Sequence, residues 1–413
     1  MASIPLSVLL FLFILTPGVF SIGEDGYTWP QRKLPLLRFK RSIRLDSSSF
    51  TAERQAELHG TCGIECQREL PKPSLQDLEN MLSYETMYEN GTRMLTTVSL
   101  QQGAELAANS SSSPSRHKRE VYGPDTRFTI SDKQYSLKYP FSTSVKISTG
   151  CSGVLVSPKH VLTAAHCIHD GTDYLKGAQK LSVGILRKGK KGKGRGKGGG
   201  KKRQGKDGEE AQEEEERKGE KKQKGEKKKA KGRKSRSKRS TKPEKSSLRW
   251  TRVKQTQVPK GWFKSVSDGA TADYDYAVLE LKRAQKSRHM DLGIIPSVKK
   301  LPAGRVHFSG FDDDRPGNLV YRFCSVSEES NDLLYQYCDA KPGSSGAGVY
   351  VRLKEPGSKR KWKRKVIGVF SGHQWVDVNG QQQDYNVAVR ITPLKFAQIC
   401  HWVHGDSGQC QNA

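Results

Sequence analysis

The stretch that most constrains the fold lies at residues 151–167 and reads CSGVLVSPKHVLTAAHC. Two short apolar runs flank a Ser-Pro pair, which predicts a strand, a turn and a second strand. The second run ends on two alanines before His166, and Cys151 and Cys167 stand where a disulfide would close the hairpin. A histidine beside a cysteine is more often structural, but this whole pattern favours a catalytic histidine.

The run Thr-Ala-Ala-His-Cys resembles the histidine hairpin of the chymotrypsin-like serine proteases, the trypsin family. The resemblance implies an all-β fold, a chymotrypsin-like double β-barrel with a C-terminal helix. Short β-rich runs separated by turn residues agree with it. The closing segment PLKFAQICHWVHG places Leu394, Ile399 and Trp402 on one face of a helix.

Asp275 begins the run DYAVLEL, which matches the family pattern of an aspartate directly before a small apolar strand. A partly buried carboxylate there accepts from the imidazole Nδ1–H and fixes its tautomer. Asp273 is the nearby competitor, but its offset from the strand differs from the pattern. Without His166, Asp275 would be interpreted as a surface residue that starts a strand.

Ser345 lies in the glycine-flanked run KPGSSGAGVY. A tight turn of this kind exposes the serine Oγ, and the backbone N–H groups of Gly343 and Ser345 can together form an oxyanion hole. A Gly/Ser loop is weak evidence by itself, but here it completes the chymotrypsin-like order His166, Asp275, Ser345. The resemblance implies an endopeptidase in which His166 takes the proton of Ser345 as it attacks a peptide carbonyl.

The nucleophile loop departs from the family pattern Gly-Asp-Ser-Gly-Gly. In the family, the aspartate before the serine pairs with the N-terminal amine that activation creates. Ser344 occupies that position, Ala347 replaces the second glycine, and Glu120 is the candidate new N-terminus. Either the loop is preformed, as in the glutamyl-endopeptidase branch, or the site is poorly organised.

Substrate specificity rests on two motifs. Asp339 lies six residues before Ser345, the offset of the acidic pocket floor in trypsin-like members, although an aspartate after a cysteine is more often a loop residue. Ser371 and Gly372 resemble the family's substrate-binding strand at the edge of the specificity pocket. A preference for substrates with a basic residue in the specificity pocket is therefore one hypothesis among several.

The N-terminal residues indicate a secreted protein. Residues 1–21 hold a short apolar core followed by a Pro-Gly break and small residues, which predicts a signal peptide. That core is too short to span a bilayer, and no later segment is a membrane-span candidate. We assign residues 22–119 to a pro-region and residues 120–413 to a trypsin-like protease domain.

Motifs for covalent modification and cleavage also support secretion. Sequons at Asn90 and Asn109 predict N-glycosylation of surface chain. A basic step ending at Arg119 follows a Ser-rich run and predicts cleavage by a proprotein convertase, the alternative being a basic linker. Two further basic steps end at Arg41 and Arg239.

The chain has eight cysteines, which suits an oxidising compartment. Cys324 with Cys338, and Cys400 with Cys410, have spacings that suit local bridges, whereas Cys62 and Cys66 could pair with each other or anchor the N-terminal region. A zinc site ranks low because paired C-x-x-C knuckles are missing from the spacings. We predict no cofactor and no metal.

Residues 187–245 interrupt the β-rich pattern. This insertion contains 27 Lys/Arg and 10 Asp/Glu, a charge of +17 within a total of +29. Its composition offers almost nothing to bury, which predicts a disordered loop insertion. Its charge predicts binding to heparan sulfate or another polyanion, and the alternative is a solvated spacer.

Several segments resemble, more narrowly, a secreted vertebrate pair within the trypsin family; they include CGIECQREL, FSGHQWVDVNG and NVAVRITPLKFAQIC. Some members of that pair lack the nucleophilic serine and are regarded as inactive. This chain keeps Ser345. The sequence therefore favours a secreted serine endopeptidase acting on protein or peptide substrates, and the alternative is an inactive homologue that acts as an extracellular binding protein.

Overall fold

The computed structural model describes most of the chain outside the N-terminus and the insertion, namely residues 28–30, 33–46, 49–54, 71–101, 125–187, 248–266, 271–301, 304–358, 360–378, 381–405 and 407–410. The predicted signal peptide and nearly all of the basic insertion lie outside the described residues. So do six residues singled out above: Cys62, Cys66, Asn109, Arg119, Glu120 and Arg239.

The described part is mostly β-structure. Its strands are β1 (Leu37–Leu45), β2 (Tyr84–Tyr88), β3 (Arg93–Leu100), β4 (Phe128–Ile130), β5 (Ser144–Ile147), β6 (Ser152–Leu155), β7 (His160–Thr163), β8 (Ser182–Leu186), β9 (Leu248–Pro259), β10 (Ala277–Leu281), β11 (Arg305–Gly310), β12 (Leu319–Glu329), β13 (Leu333–Gln336), β14 (Gly348–Lys354), β15 (Trp362–Val378) and β16 (Gln381–Arg390). Its α-helices are α1 (Leu75–Leu82), the single turn α2 (Lys133–Ser136) and α3 (Pro393–His404).

Two closed antiparallel barrels organise these strands. The first runs β5-β6-β7-β10-β9-β8 and closes because β8 pairs with both β9 and β5. The second runs β11-β14-β15-β16-β13-β12 and closes through β11 and β12, with β4 added beside β12. Each barrel is filled by fully buried side chains, such as Val161 and Leu279 in the first and Phe308 and Val349 in the second. The predicted all-β double barrel is confirmed.

The N-terminal strands extend the first barrel's sheet. Strands β1, β3 and β2 join it through β9, where Tyr84 is the register partner of Pro259. Leu82 is buried, and the Tyr84 ring packs edge-on against Trp402 of α3 at 5.2 Å. The assignment of residues 22–119 to a pro-region stays a prediction, but the described part of that region shares its core with the barrel.

Local signals explain both longer helices. Ser74 caps α1 in a capping box with Asp77, as the sequence indicates. Helix α3 begins after the cap Thr392 with a proline in its first turn, and it ends at Gly405, whose φ of 73° suits glycine. Helix α3 buries Ile399 and Trp402, and none of the described helices is long and apolar enough to cross a membrane.

Two predicted modification sites fall within the described residues. Asn90 is exposed in the turn between β2 and β3, where its Oδ1 accepts a hydrogen bond from Thr92 N at 3.0 Å. Arg41 lies inside β1 and pairs with Thr97. Glycosylation at Asn90 is compatible with that exposure, whereas cleavage after Arg41 would require a paired strand to open.

Candidate active site

The hairpin that carries His166 is built as the sequence indicates. Strands β6 and β7 pair antiparallel, and a 3-10 turn at Ala165–Cys167 follows β7. A disulfide joins Cys151 to Cys167 across a separation of 16 residues, and closing a loop of that size stabilises the fold by about 3 kcal/mol. His166 is therefore held close to the barrel, with only 5% of its surface exposed.

Asp275 binds His166 through both carboxylate oxygens. Its Oδ2 lies 2.8 Å from the imidazole Nδ1, and its Oδ1 accepts from the backbone N–H of His166 at 2.8 Å. The carboxylate is fully buried. Because a carboxylate only accepts, this contact places the imidazole proton on Nδ1 and leaves Nε2 as the acceptor that a general base needs.

Asp273, the competing aspartate, lies in the 3-10 turn Thr271–Tyr274 that precedes β10. Burial and then the negative charge of Asp332 raise the pKa of Asp273, and the ammonium of Lys395 opposes that rise. The aspartate that contacts His166 is therefore the one at the offset of the family pattern.

Ser371 supports the same carboxylate, a role that the sequence analysis does not assign to it. Its Oγ donates to Asp275 Oδ2, and its side chain is only 1% exposed. The strand β15 is bulged here, since the register partner changes from Ala388 at Phe370 to Val387 at Gly372. A bulge turns a side chain to the other face of a strand. The hydroxyl of Ser371 is thus a contact of Asp275, and the assignment of Ser371 to the edge of a specificity pocket stays a prediction.

The loop that carries Ser345 is fixed by its carbonyl groups. Ser152 Oγ donates to Gly343 O at 2.7 Å, and Ser152 N donates to Ser345 O at 2.8 Å. Gly343 has a φ of +101°, and a Cβ there would lie 2.4 Å from the carbonyl oxygen of Phe311. The loop conformation therefore requires glycine at position 343.

Two N–H groups of this loop remain available. Ser344 N donates to Lys341 O and Gly346 N to Phe370 O. Within the described part of the chain, the N–H groups of Gly343 and Ser345 have no acceptor. Those are the two donors that the sequence analysis assigns to an oxyanion hole.

The nucleophile loop also contacts the histidine hairpin. A Cβ on Gly346 would lie 2.2 Å from Thr163 Oγ1 and 3.1 Å from Ala164 N, two residues before His166. Ser345 is half-buried, and among the described residues its Oγ makes no hydrogen bond to His166 Nε2. Catalytic hydrogen bonds are often long in unliganded enzymes and shorten when substrate binds.

The residues assigned to specificity occupy different surroundings. A Cβ on Gly372 would lie 4.0 Å from Ser345 Oγ, so this residue borders the nucleophile. The carboxylate of Asp339 accepts from both Thr126 N and Thr126 Oγ1, at 2.8 and 2.7 Å. These two hydrogen bonds from Thr126 give Asp339 a structural role. The assignment of Asp339 to the floor of a specificity pocket stays a prediction.

Two other features near His166 are structural. Cys151, Cys167 and His166 have the spacing of metal ligands, but the two sulfur atoms are bonded to each other. His169 is buried, and its Nδ1 accepts from Gly171 N at 3.0 Å. Burial lowers the pKa of His169 to about 4, so its ring is neutral near pH 7. The remaining described bridges join Cys324 to Cys338 and Cys400 to Cys410.

The two barrels, the stapled histidine and the glycine-bounded serine loop define the chymotrypsin-like class of serine protease folds. The family model of trypsin matches residues 130–204. The chain belongs to the trypsin family.

Within that family, the chain is 53% identical to inactive serine protease 35 of Mus musculus, over 98% of this chain and 99% of the relative. It is 47% identical to serine protease 23 of Homo sapiens over the full length of both. The resemblance to a vertebrate pair is thereby confirmed. A solved structure of a Glu endopeptidase in complex with MPD aligns with a TM-score of 0.43 and 15% identity, over 70% of this chain and all of the other.

Proposed function

We propose that this protein is a secreted serine endopeptidase in which Ser345 is the nucleophile, His166 the general base and Asp275 the residue that orients it. The observation that carries the proposal is the pair of 2.8 Å contacts from Asp275 to the ring and backbone of His166. The trypsin-type fold and the two available N–H groups of the serine loop support it. The disulfides and the signal-like N-terminus support secretion.

In this mechanism Ser345 Oγ attacks the peptide carbonyl while His166 Nε2 takes its proton. The negative charge on the carbonyl oxygen is stabilised by the N–H groups of Gly343 and Ser345. His166 then gives the proton to the leaving amine, and water hydrolyses the acyl-enzyme by the same route. Asp275 stabilises the imidazolium at both stages.

The test is covalent labelling of full-length protein collected from the medium of expressing cells, after sequencing of its N-termini. A fluorophosphonate probe is expected to modify wild type, with the adduct located on Ser345 by mass spectrometry. The Ser345→Ala variant is the matched control and should remain unlabelled. Folded wild type that takes up no probe would contradict the proposal.

The second candidate function is that of an inactive homologue that binds other extracellular proteins. The relatives named inactive serine protease 35 favour it, as does Ser344 at the position of the family's aspartate. Absence of labelling in folded protein is the outcome expected from this candidate. The same experiment therefore separates the two functions.

Binding to a sulfated glycan such as heparan sulfate is compatible with either function, and the basic insertion supports it through its charge of +17 over residues 187–245. Leu186 and Leu248, on either side of the insertion, are register partners in β8 and β9. Residues 187–247 can therefore be replaced by an Asn-Gly turn without moving the two strands.

We expect that replacement to lower the salt concentration at which the protein elutes from a heparin column, because each cation lost removes a counterion-releasing contact. A neutral Gly/Ser insert of equal length is the matched control and should elute with the deletion variant. Unchanged retention of the deletion variant would show that the insertion is a spacer.

A further inference from the structure

The guanidinium of Arg127 is enclosed by three carboxylates on the second barrel. Its five N–H donors all make hydrogen bonds, at distances of 2.8 to 3.0 Å, to Asp125, Asp312 and Asp314. Only 5% of its side chain is exposed, and the side chain of Asp312 is not exposed at all. A buried guanidinium with every donor used holds its partners in one geometry.

The turn that Arg127 holds contacts the nucleophile loop. Asp313, between the two bound aspartates, donates its backbone N–H to Pro342 O at 2.8 Å. Phe311 N donates to Ser152 Oγ at 2.8 Å, and this hydroxyl donates in turn to Gly343 O. The turn at residues 311–314 therefore holds the carbonyl group of Pro342 directly, through Asp313, and that of Gly343 indirectly, through Ser152.

A second contact ties the same segment to the start of the loop. Thr126, next to Arg127, donates twice to Asp339 through its N–H and its hydroxyl. Segment 125–127 is therefore connected to the serine loop in two places. Thr126 binds Asp339 at the start of the loop, and Arg127 acts on Gly343 through the turn at residues 311–314. The segment lies a few residues after the predicted cleavage site.

The carboxylates around Arg127 depend on its charge. The guanidinium lowers the pKa of Asp125 and that of Asp314 through its hydrogen bonds. Asp312 also accepts from Arg322, which is fully buried, and Arg315 donates to Asp125. Without Arg127, two arginines would face three carboxylates, and the turn would be left with uncompensated negative charge.

Ser344, by contrast, offers no carboxylate for an N-terminal amine. Its Oγ donates to Lys341 O at 2.7 Å inside its own turn, and its surface is 1% exposed. The attraction that fixes the family's loop after cleavage is therefore missing at this position.

We propose that Arg127 is the positioning residue that holds the oxyanion loop in place, in the role that a new N-terminal amine has elsewhere in the family. The inference rests on the proposed endopeptidase function. Because the cation is a side chain, the loop is organised whether or not the chain is cleaved after Arg119.

The test uses full-length Arg127→Ala and Arg127→Lys. The matched control is Arg93→Ala, which breaks an arginine pair with Glu85 in the strands that extend the first barrel's sheet, far from the loop in sequence. We expect Arg127→Ala to lower the maximal rate of fluorophosphonate labelling about 10²-fold, the usual effect of losing one oxyanion donor, with the apparent affinity for the probe unchanged. Arg127→Lys keeps the charge without the planar fork and should restore part of that rate.

Hydrogen exchange of the peptide spanning residues 339–347 gives a readout that does not require activity. Arg127→Ala should accelerate exchange there, and Arg93→Ala should leave it as in wild type. Equal exchange in all three proteins would overturn the inference even if wild type is labelled. Unlabelled wild type would overturn the proposed function, while faster exchange in Arg127→Ala would still support the role of Arg127 in the loop.

The Arg119→Ala variant, which blocks the predicted cleavage, tests the consequence for activation. Its labelling rate is expected to equal that of cleaved wild type. Labelling that occurs only after cleavage would show that a new N-terminus is required, and would overturn the proposal that Arg127 replaces it.

Discussion

Replacing His166 with alanine is expected to lower the rate at which Ser345 reacts with a fluorophosphonate or an activated ester by about a millionfold. The reason is that Ser345 Oγ then has no base to take its proton, while the oxyanion donors Gly343 and Ser345 remain in place. The measurement is the observed labelling rate constant of the purified full-length variant, compared with wild type.

His404→Ala is a suitable control for this experiment, because His404 is an exposed histidine at the end of α3. It should react at the wild-type rate. If His166→Ala were labelled within tenfold of wild type, the reactive group would not be a serine activated by this histidine, and the mechanism proposed above would be wrong.

Replacing Asp275 with asparagine is expected to reduce the same rate about 10⁴-fold with little change in fold. Its two oxygens accept from three donors: the imidazole Nδ1–H, the backbone N–H of His166 and the hydroxyl of Ser371. The backbone N–H of His166 can only donate, so the amide oxygen of asparagine must face it and the NH₂ must face the imidazole Nδ1. The imidazole then takes the tautomer with the proton on Nε2 and can no longer accept the proton of Ser345.

Ser371→Ala separates the tautomer effect from a general loss of hydrogen bonds. It removes one donor to Asp275 and leaves the contacts with His166 intact, so we expect a decrease of about tenfold, the loss typical of a single hydrogen bond. If Asp275→Asn lowered the rate no further than Ser371→Ala, the contact between Asp275 and His166 would have no special role in catalysis.

The sequence predicted those parts of the candidate site that depend on short stretches of chain. The hairpin before His166, the strand after Asp275 and the glycine-bounded turn at Ser345 are each specified by residues within one element. The same holds for α1, where Ser74 and Asp77 form the capping box within one turn. Local hydrogen bonding and periodicity were sufficient for these predictions.

The sequence pattern was insufficient where a shift of one residue in strand register decides which way a side chain points. The sequence analysis assigns Ser371 to a substrate-binding strand, which stays a prediction, but it does not show that the bulge in β15 places the Ser371 hydroxyl on Asp275. Register shifts of this kind arise from the pairing with β16, which the local sequence itself does not encode. The sequence analysis therefore missed the third donor to the carboxylate.

By itself, the sequence determined the class of fold and the three residues proposed for catalysis, because each of them lies in a local pattern. Only the tertiary structure decided that the N-terminal strands pair with β9 and that Arg127 meets Asp312 from a position 185 residues earlier. Such contacts depend on how the completed barrels bring distant segments together. Hydrophobic burial and the desolvation of paired charges select them, and neither leaves a periodic signal in the chain.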